Sequence, residues 1–263
     1  MNRRLFLALL ALLPLPALAQ DKPETPRTLR VLTYNIHHGE GLDKKLDLPR
    51  IAAVIKSTNP DLVAIQEVDL TTKRTNQIDA PAELAKLTGL HAYFAKAMDY
   101  QGGAYGQLLL SKHELTDTKT HMLPPAEPGV EPRIMAEAHV KIEGTTIAFF
   151  GTHLDHQNDA RRTKQAEEIT RITADTKDDL MLLAGDLNAR PDSTPLTILL
   201  KNWTDPSAGK NLLTIPAEKP RYQIDYVLYR PKDRLKPTEI KVLEEPVASD
   251  HRPVLAVFAL QQR

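Results

Sequence analysis

Two polar residues stand at the end of an apolar stretch in the segment LLAGDLNARP, residues 182–191. Asp186 supplies a carboxylate and Asn188 a carboxamide, and both groups can bind a metal, a phosphate or a proton-carrying water. In an extended chain, residues two apart point the same way. The spacing therefore predicts that Asp186 and Asn188 lie on one face at the tip of a buried strand.

Polar side chains end or interrupt other apolar segments in the same manner. They are Asn35 in VLTYN, Glu67 in LVAIQE, His153 in FFGTHL, Asp225 in QIDY, and Asp250 and His251 in ASDHRP. Each one taken alone is explained equally well by a turn, a surface acid or a hydrogen-bonded core histidine. The whole set is not, because buried charges are costly unless they are paired or bind a metal. The pattern favours one site built from several strand ends.

The elements that must position these residues can be read from the apolar periodicity. Strands are predicted where Val, Ile, Leu and aromatic residues are enriched, over residues 29–35, 61–68, 91–97, 105–111, 114–123, 133–142, 145–154, 179–185, 223–230, 238–245 and 253–260. Helices are predicted over residues 47–58, 80–88, 158–176 and 194–202, the third opened by Asn158 or Asp159 as N-cap. Many strands with few helices between them predict an α/β fold in which two packed sheets have helices outside.

The N-terminal segment has the composition of a signal peptide. A basic start, MNRR, precedes a short apolar stretch, and small residues stand before Gln20, so cleavage is expected after Ala19. An uncleaved membrane anchor is disfavoured by the short apolar run and by Pro14 and Pro16. Residues 1–19 are thus predicted to be a signal peptide, residues 20–28 a flexible lead-in and residues 29–263 the folded domain. We expect a periplasmic or secreted protein without a stable membrane span.

Composition excludes several classes of chemistry. The 263 residues include no cysteine, so disulfides, thiolate metal sites and a cysteine nucleophile are absent. The formal charge is +0, with 34 basic and 34 acidic residues; removing Arg3 and Arg4 with the signal peptide leaves 32 against 34, or −2. Proteins that hold long nucleic acids usually carry a basic excess, and none is visible in this total.

Six motifs occur in a fixed order along the chain: TYNIHHG, AIQEVD, GTHLDH, AGDLNARP, IDYVLY and SDHRPV. In this order they resemble the endonuclease/exonuclease/phosphatase superfamily of DNase I-like, metal-dependent phosphoesterases, over about residues 29–260. The resemblance implies a four-layer α/β sandwich, with two packed, mainly antiparallel sheets flanked by helices. It also implies hydrolysis of a phosphoester, either a diester or a monoester, by an activated water.

The same resemblance implies a metal site. Glu67 would be the main metal ligand, and Asn35 would support the metal or hold the phosphate. Asp250 stands where the family has a second-shell or metal-linked acid. Mg²⁺ or Mn²⁺ is the implied cofactor, as one or two ions, because hard divalent cations take carboxylate and amide oxygens.

The remaining motif residues receive catalytic roles from the resemblance. Asp186 would orient or deprotonate the attacking water, and Asn188 would donate its amide to a phosphate oxygen. His153 would stabilise the phosphate or the leaving group. His251 would contact the phosphate and act in acid–base chemistry, with Asp225 holding its tautomer. Whether Asp186 or His251 takes the proton from the water stays open.

Residues outside these motifs are further candidates. Arg74 and Arg133 could contact an anionic substrate, while His37, His38 and Tyr105 could border the cleft; for all five a solvated or structural role is equally open. The neutral charge and short loops favour a small or lipid-linked phosphoester and a monomeric enzyme. One alternative is a secreted nuclease acting on DNA or RNA. Another is a phosphate-binding relative without catalysis, which would show a gap in the motif set; the sequence shows no gap.

Overall fold

Each of the eleven predicted strand segments forms a strand in the computed structural model, which describes residues 27–125 and 128–261. The strands are β1 (Thr28–Asn35), β2 (Leu62–Leu70), β3 (His91–Tyr100), β4 (Gly103–Ser111), β5 (Thr116–Leu123), β6 (Arg133–Ile142), β7 (Thr145–His153), β8 (Leu180–Asp186), β9 (Asp225–Arg230), β10 (Leu235–Val242) and β11 (Val254–Leu260). The predicted signal peptide and residues 20–26 of the predicted lead-in lie outside the described residues. Thr28, the last residue of that lead-in, already belongs to β1.

The four predicted helices are also present. They are α1 (Leu48–Ser57), α2 (Ala80–Thr88), α3 (Asp159–Ala174) and α4 (Thr194–Leu199). Side chains cap the first three, because Asp47, Asp79 and Asn158 each accept a hydrogen bond from a backbone N–H in the first turn. α3 and α4 end two and three residues before their predicted ends. Among the described residues, no helix has the length and apolar character needed to cross a membrane.

The strands form two sheets. One has six strands in the order β10-β11-β1-β2-β4-β3, and the other has five in the order β5-β6-β7-β8-β9. β1 and β2 are parallel, as are β7 and β8, and every other neighbouring pair is antiparallel. The prediction of two mainly antiparallel sheets is therefore confirmed.

Successive residues of the central strands face different apolar layers. Val31 of β1 and Phe149 of β7 lie in the core between the two sheets. Leu32 packs with the residues of α1 and α2 on the outside of the six-stranded sheet. Phe150 packs with α3 and α4 on the outside of the five-stranded sheet. Strands that are covered on both faces are apolar throughout, and the order helix, sheet, sheet, helix is the predicted four-layer sandwich.

A glycine permits the close approach of the two sheets near the site. A Cβ at Gly151 of β7 would lie 2.6 Å from Leu109 Cδ2 and 3.4 Å from the Ala64 Cβ. Both neighbours belong to the opposite sheet, so a larger residue would force the sheets apart. The sheets therefore approach closely at Gly151, two residues before His153 at the end of β7.

The β3–β4 hairpin is longer than predicted. β3 continues to Tyr100 rather than ending at residue 97, and β4 begins at Gly103. Gln101 and Gly102 connect them with positive φ angles of 46° and 85°, which suit the twist of a two-residue hairpin turn. The extension carries Tyr100 to the end of the sandwich where the polar strand ends gather.

Candidate active site

Strand direction brings the motif residues to one end of the sandwich. Asn35 ends β1, Glu67 lies in the parallel neighbour β2 one residue beyond the register partner of Asn35, and His153 and Asp186 end the parallel pair β7 and β8. His153 and Asp186 are partners in the strand register. β1 packs against β8 across the two sheets, and this contact joins the two pairs of residues into one site. Asp225 enters at the start of β9, directly opposite Asp186.

Asp186, Asp225 and His251 form the centre of the site. His251 Nδ1 lies 3.0 Å from Asp225 Oδ2, and its Nε2 lies 3.7 Å from Asp186 Oδ2. One ligand atom from each of the three residues lies within 4.8 Å of the others, and all three residues are buried. The predicted pairing of His251 with Asp225 is therefore present in the structure.

Burial and neighbouring charges shift the pKa values in this group. Burial, together with the charge of Asp225, raises the pKa of Asp186 to about 7. Burial alone would lower the pKa of His251, but the carboxylates of Asp225 and Asp186 outweigh it and raise that pKa to about 10. Burial and the positive charges of Arg133 and His251 hold the pKa of His153 well below its ordinary value. The two histidines thus differ in charge near neutral pH.

Asn35 connects the two sheets through its amide. Its Nδ2 donates to Glu67 Oε1 at 3.0 Å and to Asp186 Oδ2 at 3.2 Å. Its Oδ1 accepts the backbone N–H of His37 at 3.1 Å. Because that oxygen already has a donor, the arrangement makes Asn35 a spacer that holds Glu67 and Asp186 on either side of one N–H₂ group.

A β-bulge directs Glu67 into the cleft. The pairing of β2 with β4 shifts between Ile65 and Val68, and Glu67 has a φ of +58°. This conformation costs a residue with a Cβ roughly 1–2 kcal/mol. Bulges turn a side chain away from its regular direction and are common beside functional sites. The bulge explains how a residue in the middle of an apolar strand can line a polar cleft.

Asp186 and Asn188 are neighbours for a different reason from the one predicted. β8 ends at Asp186, so the two residues do not alternate along an extended strand. Instead Asn188 has a left-handed φ of +46°, and its backbone N–H donates to Asp186 Oδ1 at 2.9 Å, a turn stabilised by the aspartate side chain. Asn188 Nδ2 also donates to the Leu154 carbonyl at 3.1 Å. Both side chains nevertheless line the same cleft.

The site opens into a cleft of about 430 Å³. It is lined by Glu67, Arg74, Met98, Tyr100, Tyr105, Glu131, Arg133, His153, His156, Asp186, Asn188, Ile215 and His251. Eight of these were sequence candidates. The other five lie on the extended β3, in the loops before β6 and after β7, and at residue 215; among them only His156 belongs to a quoted motif, GTHLDH, and no role was predicted for it. We refer to this space as the catalytic cleft.

Both predicted substrate arginines line the catalytic cleft, and both have acidic partners. Arg74 binds both carboxylate oxygens of Asp69, and its guanidinium carbon lies 4.8 Å from the centre of the Tyr100 ring. Arg133 Nη1 lies 3.1 Å from Glu131 Oε1, and Arg133 Nη2 donates to His156 Nδ1 at 2.9 Å. The acidic partner Asp69 lies in the quoted motif AIQEVD, although no role was predicted for it.

The remaining candidates fall into two groups. Tyr105 lines the cleft, and burial together with the charge of Glu67 raises its pKa well above the ordinary value. His37 and His38 form a short 3₁₀ turn beside Asn35 but are not cleft-lining residues, and burial lowers the pKa of His38 to about 4. The carboxylate of Asp250 accepts a hydrogen bond from Ser249 Oγ at 3.3 Å, outside the set that lines the cleft.

The donor set fits a hard divalent cation. Glu67 and Asp186 present carboxylates on either side of the Asn35 amide, and Asp225 lies opposite Asp186. Burial and the nearby carboxylate of Asp225 both disfavour the charged form of Asp186 and raise its pKa. A cation beside these oxygens would favour the charged form. Asp186 therefore joins Glu67 as a candidate cation-binding acid, while Asp225 is paired with His251 beside them.

Comparison with known proteins gives an independent line of evidence. Residues 32–251 match the model of the endonuclease/exonuclease/phosphatase family. No protein of curated function matches the chain in sequence. An endonuclease/exonuclease/phosphatase from Beutenbergia cavernae is 26% identical, with a TM-score of 0.70 over 89% of this chain and 72% of that one.

More distant solved structures share the fold. A mannosyl-6-phosphatase from Bacteroides thetaiotaomicron is 18% identical, with a TM-score of 0.72 over 87% of this chain and 98% of that one. The catalytic domain of human Nocturnin, solved with a sulfate anion, is 18% identical, with a TM-score of 0.69 over 89% of this chain and 95% of that one. The matched segment contains every motif residue described above, from Asn35 to His251. The chain therefore belongs to the endonuclease/exonuclease/phosphatase family of phosphoester hydrolases.

Proposed function

We propose that this enzyme hydrolyses a small or lipid-linked phosphoester with Mg²⁺ or Mn²⁺ bound by Glu67 and the neighbouring acids. The observation that carries the proposal is the position of Asp186. At the floor of the cleft its Oδ2 lies 3.2 Å from Asn35 Nδ2, 3.3 Å from His153 Nε2 and 3.7 Å from His251 Nε2. A carboxylate at the meeting point of two histidines and a metal-binding acid can orient a water for attack on phosphorus.

The cation would neutralise charge on the phosphate and make a bound water more acidic. Glu67 is its main ligand in this proposal, because its carboxylate is the group that the bulge turns into the cleft. Asn35 keeps the Glu67 and Asp186 carboxylates at a fixed separation. Asp250 would act from outside the cleft, through the Ser249–Asp250 turn that precedes His251.

The two histidines take different parts. Asp225 accepts from Nδ1–H of His251, and the raised pKa of His251 keeps the ring protonated on both nitrogens near neutral pH, so its Nε2–H faces Asp186 and the cleft. From there His251 can donate to a phosphate oxygen or to the leaving oxygen. His153 is kept neutral by its surroundings, and its Nδ1 has no hydrogen-bond partner among the described residues. In this proposal His153 Nε2 bonds the phosphate or the leaving group.

Phosphate binding is assigned to donors that face the cleft. Asn188 uses one of its amide hydrogens on Leu154, which leaves the other for a phosphate oxygen. Arg133 has Nε and Nη1 hydrogens without a well-aligned acceptor in the described structure, although Glu131 is close. Arg133 therefore remains a candidate contact for the substrate anion.

The charge balance of the cleft favours a small substrate over nucleic acid. Both arginines in the cleft are paired, Arg74 with Asp69 and Arg133 with Glu131. Binding to duplex DNA depends on several basic groups that neutralise successive phosphates. Two arginines whose charges are already compensated would neutralise few DNA phosphates. A nuclease is therefore the second candidate function.

The test is a substrate panel. The full chain would be assayed with Mg²⁺ and with chelator on p-nitrophenyl phosphate, bis(p-nitrophenyl) phosphate, phospholipid vesicles and plasmid DNA. We expect metal-dependent turnover of a small or lipid ester, and a loss of at least about 100-fold in Asp186→Asn. Arg171→Ala, on the exposed face of α3, is the control. Turnover of DNA faster than every other substrate, with a steep salt dependence, would establish the nuclease instead.

We also propose that the enzyme is exported to the periplasm or beyond it and acts as a monomer. Support for export comes from the sequence of residues 1–19, with its basic start, apolar stretch and small residues before Gln20. An exported enzyme without cysteine needs no oxidative step to mature. The expected processing site is tested below.

A further inference from the structure

The catalytic cleft continues into a second depression, which we call the side groove. It has a volume of about 570 Å³ and lies between the start of α3, the segment after β8, and residues 215–224. His156, Asn188 and Ile215 line both spaces. Asn188, bonded through its backbone to Asp186, therefore stands at the boundary between them. A phosphate held at Asp186 and Asn188 has space on two sides.

The wall of the side groove is a supported aromatic surface. The guanidinium carbon of Arg190 lies 4.2 Å from the centre of the Tyr222 ring. Tyr222 is 42% exposed, yet its backbone is fixed to Ile215 by hydrogen bonds of 3.1 and 3.2 Å. An exposed ring on a fixed backbone, backed by a cation, offers a flat face for stacking at small entropic cost.

The charges in the side groove balance. Two arginines and two aspartates line it, and Arg162 Nη2 lies 3.1 Å from Asp159 Oδ1. Arg162 Nη1 is also occupied, since it donates to the Asp155 carbonyl at 2.8 Å. Asp192 offsets the charge of Arg190. The groove therefore suits an uncharged ring, such as a sugar or an aromatic group, better than a second phosphate.

The catalytic cleft itself has a second aromatic surface, formed by residues that do not line the side groove. Tyr100 and Tyr105 lie 6.3 Å apart with their rings tilted, and Arg74 is close to both. The position assigned to phosphate lies in the catalytic cleft, which carries the aromatic surface at Tyr100 and shares Asn188 with the side groove that carries Tyr222. A phosphate monoester has one organic substituent and can occupy only one of the two surfaces, whereas a phosphodiester has two.

We infer that this enzyme is a phosphodiesterase whose substrate places an uncharged ring in the side groove. The inference rests on the proposed function and narrows its substrate class. In the reaction, a water oxygen bonds to phosphorus while the bond to one alkoxy oxygen breaks. The leaving alcohol takes up a proton, and the other substituent remains on a phosphate monoester. Asn188 separates the two arms of the diester.

The experiment compares bis(p-nitrophenyl) phosphate with p-nitrophenyl phosphate at saturating Mg²⁺. We expect kcat/KM for the diester to exceed that for the monoester by at least about tenfold. Tyr222→Ala and Tyr100→Ala should each raise KM for the diester about three- to tenfold, the range expected for loss of one stacking contact. At most one of these variants should change KM for the monoester, because that substrate has a single ring.

Controls separate stacking from misfolding. Tyr222→Phe keeps the ring and should keep the wild-type KM, while Arg171→Ala tests a distant arginine. Preference for the monoester, or a diester KM unchanged within about twofold in Tyr222→Ala, would overturn the inference. Efficient monoester turnover would leave the proposed hydrolase function intact. Failure to hydrolyse either ester, or any other member of the substrate panel, would instead contradict the proposed function and the inference together.

Discussion

Arg74 holds both carboxylate oxygens of Asp69, with Nε 2.7 Å from Oδ2 and Nη2 2.8 Å from Oδ1. Asp69 is fully buried, and the side chain of Arg74 is 28% exposed. Asp69 lies two residues after Glu67 in β2, and Arg74 lines the catalytic cleft. The guanidinium of Arg74 therefore binds a buried acid. If Arg74 also contacts an anionic substrate, as predicted, the same guanidinium must bind Asp69 and the substrate together.

Arg74→Ala should destabilise the fold because it leaves the Asp69 carboxylate buried without its cation. We expect a loss of about 3 kcal/mol in the free energy of unfolding, measured in urea. The double variant Asp69→Asn, Arg74→Gln should lose less than the sum of the two single variants, since neither charge remains unpaired. Additive losses would show that the two residues act independently.

Glu67→Gln should raise the Mg²⁺ concentration needed for half-maximal activity by about tenfold or more. The change keeps the shape of the side chain and its position in the bulge but removes the charge that attracts the cation. A Mg²⁺ titration of activity, together with direct calorimetric binding, measures the effect. Glu83→Gln on α2 is the matched control. If the metal titration of Glu67→Gln coincides with that of the wild type, Glu67 is not the main ligand.

Asp225→Asn and His251→Ala should not add in their effects on rate. Asp225 acts through its bonds to His251 Nδ1. Once the histidine is removed, a further change at Asp225 should therefore have little effect on the rate. The double variant should be within about threefold of the slower single variant in kcat/KM. Steady-state kinetics of the four proteins provide the comparison. Losses that multiply in full would assign the aspartate a separate role, for example as a ligand of the cation.

A second polar cluster predicts how stability depends on pH. Glu137 Oε1 lies 2.8 Å from His139 Nε2, and His139 Nδ1 lies 3.1 Å from Asp178 Oδ1. Burial opposes both charges, but hydrogen bonds from His139 and His121 lower the pKa of Glu137. Hydrogen bonds to Glu137 and Asp178 raise the pKa of His139, again against the effect of burial. The cluster is fully charged only where the acids are ionised and the histidine is protonated.

The sign of the effect differs for the two groups. The contribution of His139 is complete below its unfolded value of 6.5 and is lost as the pH rises through its higher folded pKa. The contribution of Glu137 is present above pH 4.5 and is lost as the pH falls through its lower folded pKa.

His139→Gln should therefore lower the free energy of unfolding most between pH 4.5 and pH 6.5, by about 1–2 kcal/mol. The loss should be smaller by about pH 9. Urea unfolding across pH 4–9 tests this, with exposed His91→Gln as control. A cost that does not change with pH would mean that His139 is uncharged in the fold.

The N-terminal prediction has a direct test. Expression of the full chain in a bacterial host with its own signal should yield a mature protein that begins at Gln20. Fractionation followed by intact-mass measurement of the periplasmic protein identifies the first residue. Replacing Ala17 and Ala19 by large residues should block processing, whereas Ala8→Val in the apolar stretch should not. A full-length protein that stays in the cytoplasm would contradict export.

The sequence predicts the helices and strands more accurately than it predicts the positions of the side chains in the site. Strands covered on both faces produce long apolar runs, so β1, β7 and β8 were recognisable by composition alone. The capping residues Asn158 and Gly89 indicated where α3 begins and α2 ends. Helix ends without such residues leave no mark in the sequence. α4, for example, ends at Leu199 rather than at the predicted residue 202.

The site residues were found by type, but their geometry was not. No local pattern marks the bulge at Glu67, since it arises from pairing with β4, a strand some forty residues later in the chain. The turn that joins Asn188 to Asp186 requires a left-handed backbone at Asn188. The apolar run before it does not predict that conformation. Tyr222 lies outside the motifs, and Arg190 lies in AGDLNARP without a predicted role, because the side groove forms only when separated loops pack together.

The five-stranded sheet is built from one continuous part of the chain, β5 to β9, whereas the six-stranded sheet takes strands from both sides of it. β11 inserts between β10 and β1, and the turn just before it carries His251. During synthesis, every other residue of the site is made before this turn appears. The nascent polypeptide thus lacks His251 of the proposed site until the segment before its final strand is made, and under the proposed function hydrolytic activity would be a late event in folding.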